Sequence, residues 1–347
     1  MDGQNNTIQR LKFAWYCLKK SGDSRFIKRV NELGKDNNLV ELIKTDNGII
    51  QEPVYFIDME ESHSGFFAEH NRLLGFLYFA DQYGLKPVVR FHKGYCYAED
   101  HLVNGTDNPF EYYFEQPAGI TVEDINKYQH VLKSRKENSK LAVSLNEDAN
   151  GYMRNEKYLQ EMGRITEKYI HLNPVLKEYI ESEKKKIFGE QTETDILAVH
   201  VRGTDFKQNY NGHPVQVTIE EYLQEARTVY DRGNYRLLFL ATDDEDAIGI
   251  FKKEFGNRLV YYTDVIRSNG KDTVMNSIVE RKDHHYKLGV EVLRDMYTLA
   301  ACGGLVAGLS QVSYAARIQK KSTGHNYRDL SILNKGINYH QKENCPD

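Results

Sequence analysis

The sequence predicts an α/β protein with two Rossmann-like domains and a cleft between them. It has 347 residues, which is more than one typical domain holds. A strand, a helix and a second strand follow one another over residues 54–91, and after residue 195 strands and helices alternate regularly. The stretch 183–195 is charged and turn-rich. We therefore expect the boundary there, between an N-terminal domain of residues 1–190 and a C-terminal domain of residues 191–347.

The first domain contains one clear βαβ unit. VYFIDME at 54–60 has the composition of a buried strand. The segment after Gly65 has apolar residues at helical spacing and ends at Gly84, which suits a helix C-cap. KPVVRF at 86–91 completes the unit, the usual start of a parallel sheet. A weaker helical pattern surrounds Trp15.

Two longer segments complete this domain. Residues 93–135 are rich in tyrosine, glycine and acidic side chains and have no clear period. Such a segment predicts a long functional loop, for example one that faces an acceptor. Residues 155–187 have helical spacing, which Asn173 and Pro174 interrupt, so we expect two consecutive helices there.

The second domain is predicted from strands that alternate with helices. The segment 196–201 is apolar and branched, as in a strand buried on both faces of a parallel sheet. Thr218 and Glu221 have the spacing of a capping box at the start of the following helix. The other expected strands are 235–243, 258–264 and 304–310, and the other helices begin near 244, 286 and 312.

Composition excludes several classes of protein. Hydrophobic residues make up 40% and charged residues 28% of the chain, as in a soluble globular protein. The net charge of −4 offers no surface for nucleic acid. Because the chain has no signal-peptide pattern and no run of about 20 apolar residues, we expect a cytoplasmic protein without a transmembrane segment.

Short motifs exclude further classes. Neither a GxGxxG turn after the early strands nor a GxxxxGK[ST] loop is present, which argues against a dinucleotide enzyme and a P-loop NTPase. No cluster has metal-ligand spacing, and the adjacent His284 and His285 are expected as exposed loop residues. The scattered cysteines predict no cysteine zinc site and no disulfide scaffold: Cys17, Cys96, Cys302 and Cys345.

Three predicted strand ends carry groups suited to binding an anion. Ligands of open α/β sheets lie at the carboxyl ends of the strands. The guanidinium of Arg202 can grip two phosphate oxygens, and a helix that starts at Ser310-Gln311 offers free N–H groups. Together they predict a diphosphate site. The residues at the three ends are His200 and Arg202, Thr242 and Asp243, and Ser310 and Gln311.

Simpler interpretations of these residues stay open. Arg202 could form a strand-end salt bridge with Asp205, and Ser310 could be a helix N-cap and nothing more. Asp243 and Asp244 could bind a metal. Acidic residues are common in a first helical turn, so a helix start is the favoured interpretation of this pair.

Five separated motifs resemble the α-1,6-fucosyltransferase family, which includes core and nodulation fucosyltransferases and is related to the protein O-fucosyltransferases. They occur in the family's order over residues 195–318. A weaker match covers residues 54–91, where Gly65 resembles the family's glycine turn. The five motifs are HVRGTD, His213-Pro214 with IEEYL, LATDD, LRDMYTLAAC and LSQVSYAARI.

The resemblance implies a fold of the GT-B glycosyltransferase type and an inverting, metal-independent transfer of L-fucose from GDP-fucose, with no cofactor. His200 would lie against the guanosine, and Asp295 would accept hydrogen bonds from guanine. Arg202 would hold the β-phosphate and stabilise the departing GDP as the catalytic residue. The whole expected donor-binding set is His200, Arg202, Asp295, Ser310, Gln311, Gly65, Thr242 and Asp243. Without the resemblance, Asp295 would be interpreted as an ion-pair partner of Arg294 or Lys287.

Two departures from the family pattern concern catalysis. Gly203 stands where the family has the second of two arginines, and the residues after Asp205 lack the glutamate proposed as base in the core enzymes. An acceptor hydroxyl must still lose a proton, and Asp205, Glu69 and Asp58 are candidate bases.

The sequence thus predicts transfer of L-fucose from GDP-fucose to a hydroxyl of a glycan acceptor. One alternative is a transferase that uses another GDP-sugar. The other is a GDP-binding relative without catalysis, which Gly203 and the missing glutamate favour.

Overall fold

The first of two sheets is mostly parallel and has four strands. The computed structural model describes residues 15, 41–44, 48–60, 64–145, 155–203, 210–268 and 280–339. The strands are β1 (Glu41–Lys44), β2 (Val54–Met59), β3 (Lys86–Phe91) and β4 (His130–Lys133), in the order β1-β4-β2-β3. β2 is parallel to β3 and β4, whereas the edge strand β1 is antiparallel to β4.

The predicted βαβ unit is confirmed. Helix α1 (Phe66–Tyr83) connects β2 to β3 and buries an almost continuous apolar surface. It ends at Gly84, whose φ of 63° lies in the left-handed region that favours glycine. The predicted helical pattern around Trp15 lies outside the described residues apart from Trp15 itself, which is helical.

The predicted loop over 93–135 is confirmed in its first part, because residues 93–122 form turns and isolated bridges but no helix or strand. The rest of the segment contains a 3₁₀ helix (Glu123–Lys127) and β4. The tyrosines of the first part are packed in the core rather than displayed. The aromatic rings of α1 and of this segment contact one another, so burial explains the tyrosine content better than exposure to an acceptor. The buried tyrosines are Tyr95, Tyr97, Tyr112 and Tyr113.

Two helices follow, as predicted, because the chain breaks at Asn173-Pro174. Helix α2 spans Glu156–Tyr169 and helix α3 spans Pro174–Phe188. The Asn173 side chain caps α3 by accepting a hydrogen bond from the N–H of Leu176 at 2.9 Å, and proline at the first helical position needs no N–H partner. A further 3₁₀ helix, Lys136–Leu145, precedes them.

The second sheet is fully parallel, and its strand order is that of a doubly wound fold. Its strands are β5 (Ile196–Val201), β6 (Leu237–Thr242), β7 (Leu259–Val260), β8 (Gly304–Gly308) and β9 (Asp329–Leu333), in the order β7-β6-β5-β8-β9. Its helices are α4 (Ile219–Gly233), α5 (Glu245–Phe255), α6 (His284–Ala301) and α7 (Gln311–Ser322). Short 3₁₀ helices occupy Glu193–Asp195 and Gly256–Arg258.

The strand order reverses between β5 and β8. In such sheets the crevice at the reversal point, outside the carboxyl ends of the strands, is where ligands bind. β5 is buried at every position, as its apolar sequence predicts. Two features differ from the prediction: the strand expected over 258–264 is only two residues long, and β9 was not predicted.

The predicted fold class, an α/β protein with two Rossmann-like sheets and a cleft between them, is confirmed. The predicted boundary at residues 190 and 191 falls between α3 and β5. α2 nevertheless packs against α7, and α3 packs against α6. No helix among the described residues is long and apolar enough to cross a membrane.

Candidate functional site

A cleft of about 450 Å³ lies between the two sheets, within the range of small-molecule sites. The N-terminus of α1 forms one wall. The ends of β5, β6 and β8, the start of α7 and one face of α6 form most of the remainder. The predicted residues that line it are Gly65, His200, Arg202, Thr242, Asp243, Asp295, Ser310 and Gln311.

His200 and Ser310 meet at the point where the strand order reverses. His200 is on β5 and Ser310 follows β8, and the His200 Nδ1 lies 3.3 Å from the Ser310 hydroxyl. Burial lowers the pKa of His200 to about 4, so its imidazole is neutral at pH 7. It can therefore orient a hydrogen-bonding partner but supplies no charge to an anion.

Arg202 is a positively charged side chain that lines the cleft. It follows the last residue of β5, is 28% exposed and forms an ion pair with Asp243 at the end of β6. Asp243 also accepts a hydrogen bond from the N–H of Gly203 at 3.0 Å. The arginine is thus held by the neighbouring strand. Asp205, the partner that a simple salt bridge would use, lies outside the described residues.

Asp244 starts a helix, in agreement with the favoured interpretation. It is fully buried and caps α5 through the N–H of Asp246 at 3.1 Å. The position of Asp244 also explains why residue 203 is glycine. A Cβ on that glycine would lie 2.6 Å from the Asp244 Cβ, so an arginine cannot occupy position 203 unless the cap moves.

The start of α7 offers free N–H groups to the cleft. Ser310 and Ser313 form a capping box: the N–H of Ser313 donates to the Ser310 Oγ at 3.1 Å, and the N–H of Ser310 donates to the Ser313 Oγ at 3.2 Å. The N–H groups of Gln311 and Val312 have no partner within the helix. Both residues line the cleft, so these two N–H groups can bind an anion.

Asp295 and Glu291 line the opposite side of the cleft. They are four residues apart on α6 and therefore share one face of the helix. Burial raises the pKa of Asp295 to about 7, because removal from water disfavours the carboxylate. Asp295 has no ion-pair partner among the described residues. Its neighbour Arg294 is turned away and binds Asp264 and Glu183.

Glu291 is the charged cleft residue that sequence reasoning missed. It forms an ion pair with Arg281 and accepts a hydrogen bond from the N–H of Ile266 at 3.4 Å. The signal that could have found it is its position one helical turn before Asp295. His213 and Tyr97 also line the cleft, and neither was predicted as a donor-binding residue.

Two of the predicted bases do not line the cleft. Asp58 forms ion pairs with His92 and with Lys133, the latter at 2.8 Å. Glu69 is buried on α1, where it binds Arg72 at 2.8 Å and accepts from the N–H of Ser64 at 3.2 Å. Neither carboxylate lines the cleft, and Asp205 is outside the described residues.

The adjacent His284 and His285 both lie in the first turn of α6, so the expectation of a loop is wrong for both. His284 is buried, against the prediction, whereas His285 is exposed. Among the described residues, no group of three or more histidine, cysteine, aspartate or glutamate side chains could hold a metal ion.

Comparison with known proteins finds similarity in structure but not in sequence. No protein-family model and no curated protein sequence matches the chain. A NodZ α-1,6-fucosyltransferase soaked with GDP-fucose is 15% identical, over 77% of this chain and 92% of that one, with a TM-score of 0.45. The fucosyltransferase NodZ from Bradyrhizobium is also 15% identical, over 78% of this chain and 93% of that one, with a TM-score of 0.45.

POFUT1 in complex with GDP-fucose is 10% identical, over 83% of this chain and 98% of that one, with a TM-score of 0.49. These are the kinds of enzyme that the five motifs resemble. The chain is similar in overall structure to solved fucosyltransferases, at 10 to 15% sequence identity.

Proposed function

We propose that the cleft binds GDP-fucose and that the protein transfers L-fucose to a hydroxyl of a glycan acceptor. The observation that carries this proposal is the placement of Arg202 and the free N–H groups of α7 around the end of β5, with the carboxylate of Asp295 on another wall. A guanidinium and a helix N-terminus suit a diphosphate. A carboxylate suits the N–H groups of a guanine edge.

Catalysis in this proposal is stabilisation of the leaving group. The acceptor oxygen attacks the sugar C1 from the face opposite the phosphate, so the configuration is inverted, and the C1–O bond to GDP breaks. Negative charge then grows on the β-phosphate, where Arg202 and the α7 N–H groups bind it. No metal is needed, because these groups supply the positive potential.

The proton of the acceptor hydroxyl needs a base. Asp58 and Glu69 form ion pairs and do not line the cleft, whereas Asp205 follows Arg202 by three residues. We therefore retain Asp205 as the proposed base.

The nucleotide is tested by thermal unfolding with GDP, UDP, ADP or NAD. We expect GDP to raise the unfolding temperature most, because only guanine presents two adjacent donors to Asp295. Stabilisation by UDP or NAD without stabilisation by GDP would contradict the proposal. Release of GDP from GDP-fucose but not from other GDP-sugars then identifies the sugar, and GDP binding without turnover indicates a relative that lacks catalysis.

Catalysis is tested by Arg202→Ala. We expect at least about a hundredfold loss of transfer with an intact fold, because a donor that stabilises developing charge is removed. Arg164→Ala is the control, since that arginine also pairs with an aspartate, Asp81, but on the surface of α2. Activity of Arg202→Ala close to that of the unaltered protein would refute the role of Arg202.

A further inference from the structure

Asn71 connects the wall formed by α1 to the start of α7. It lies on α1, is 8% exposed, and its Nδ2 donates to the Gln311 Oε1 at 2.8 Å and to the Gln311 backbone carbonyl at 3.3 Å. These are hydrogen bonds between residues 240 positions apart in sequence. The contact therefore joins the two halves of the molecule at the edge of the cleft.

The two hydrogen bonds determine which way both amides point. A backbone carbonyl can only accept, so the group that Asn71 directs at Gln311 must be its NH₂. The Gln311 side chain must then present its oxygen to Asn71. Its own NH₂ is consequently directed away from Asn71, and among the described residues no protein acceptor binds that NH₂.

Gln311 lines the cleft together with Arg202 and Ser310. This NH₂ is a donor without charge, in the same cleft as the N–H groups at the start of α7 and the Arg202 guanidinium. If the amide were reversed, its oxygen would face the same space and repel an anion. Asn71 thus determines whether the Gln311 amide attracts or repels an anion in the cleft.

We propose that Asn71 is a positioning residue that fixes the Gln311 amide with its NH₂ toward the bound diphosphate. The proposal rests on the proposed function, since it deepens the assignment of the diphosphate end of the cleft. Asn71 itself does not touch the ligand. It acts through Gln311, and it does so from the opposite half of the molecule.

The test is Asn71→Asp, which keeps the size of the side chain but replaces its NH₂ donor by a negatively charged carboxylate oxygen. The Gln311 amide then turns its NH₂ toward the new carboxylate and its oxygen toward the anion. We expect GDP affinity, measured by calorimetry, to fall about tenfold or more, while guanosine affinity changes less than twofold. Asn71→Ala removes the donor without reversing the Gln311 amide, so its GDP affinity should fall less than that of Asn71→Asp.

Two comparisons separate positioning from general damage. Asn173→Asp is the matched control, because the Asn173 Nδ2 also donates to a backbone carbonyl, that of Tyr112 at 3.0 Å, far from the cleft. It should leave GDP affinity unchanged. In a Gln311→Ala background, Asn71→Asp should lose only what its added negative charge costs, which is less than its loss in the unaltered background, because the amide that it reverses is gone.

The outcomes also separate this inference from the proposed function. Inorganic pyrophosphate is the second probe. If the unaltered protein binds GDP and Asn71→Asp binds it equally well, or loses guanosine affinity to the same degree, the positioning role is wrong and the function stands. Binding of pyrophosphate but not GDP would overturn the guanine assignment and leave the diphosphate site. If the unaltered protein binds neither pyrophosphate nor GDP, both the positioning role and the proposed function are wrong.

Discussion

Among the individual residues, Asp295 has the chemistry that responds most to pH. It lines the cleft without an ion-pair partner among the described residues, and burial raises its pKa to about 7. Only its ionised form accepts two hydrogen bonds from a guanine edge. His200, another titratable residue that lines the cleft, has a pKa of about 4 and does not change charge near neutrality.

We expect guanosine affinity to rise about tenfold between pH 6 and pH 8, because the ionised fraction of a group with pKa near 7 rises from about one tenth to nine tenths. Guanosine is the probe because it has no phosphate that titrates in this range. Calorimetry at several pH values measures the effect. Asp295→Asn should bind guanosine weakly and equally at all of them; a flat profile for the unaltered protein would contradict the assignment.

The same carboxyl affects stability. Its pKa is raised above the unfolded value, so the native state binds the proton more tightly and stability falls as pH rises from about 4 to about 7. Above pH 7 the buried, ionised carboxylate lowers the free energy of unfolding, whereas a neutral asparagine would not. Denaturant unfolding should therefore show Asp295→Asn to be more stable than the unaltered protein at pH 8, by about 1 kcal/mol or more.

Single residues also show where sequence reasoning ends. Arg202 was predicted because its motif is local, but its partner Asp243 is 41 positions away and reaches it only through the pairing of β5 with β6. Gly203 looked like a missing arginine. Its reason is the buried cap of Asp244, which no local pattern reveals because the two residues meet only in three dimensions.

At the scale of elements, the start of α7 is the part on which the proposed anion binding depends. The Ser313 Oγ accepts from the N–H of Ser310 and donates to the Gly308 carbonyl at 2.8 Å, so it ties the first helical turn to the end of β8. This arrangement sets the direction of the free N–H groups of Gln311 and Val312. Ser310 is therefore both an N-cap and part of the cleft, and the two interpretations of it are compatible.

We expect Ser313→Ala to lower the free energy of unfolding by about 1 kcal/mol and to weaken GDP binding several-fold, because the first turn of α7 loses the Ser313 side of its capping box and its bond to the end of β8. Thr218→Ala is the matched control. It removes one side of the capping box of α4, which does not line the cleft. It should lower stability to a similar degree and leave GDP affinity unchanged; equal effects of the two variants on affinity would disprove this account of α7.

Elements with strong periodicity were predicted best. β5, α1 and the break between α2 and α3 were all predicted, because continuous apolar runs, helical spacing and proline act locally. β1 and β9 were missed because short edge strands are specified by the neighbour with which they pair. The segment 93–135 was predicted as a loop, and its 3₁₀ helix and β4 were missed. Its tyrosines pack against distant α1, which leaves no period in the sequence.

At the scale of the whole molecule, the cleft is a joint product of both halves. Residues Ser64–Ala68 before and in the first turn of α1 form one wall, and the ends of the second sheet form the others. The contact between Asn71 and Gln311 and the packing of α2 on α7 hold these walls together. A nucleotide bound there should therefore stabilise backbone on both sides, although most of the predicted contacts come from the second half.

Hydrogen exchange with and without saturating GDP measures this directly. We expect slower exchange at residues 64–68 and at residues 310–312, since both segments line the cleft and binding suppresses local opening. β4, which does not line the cleft, is the internal reference and should exchange at the same rate in both samples. Protection confined to the second half would mean that GDP occupies only the edge of the second sheet and that α1 is no wall of the binding site.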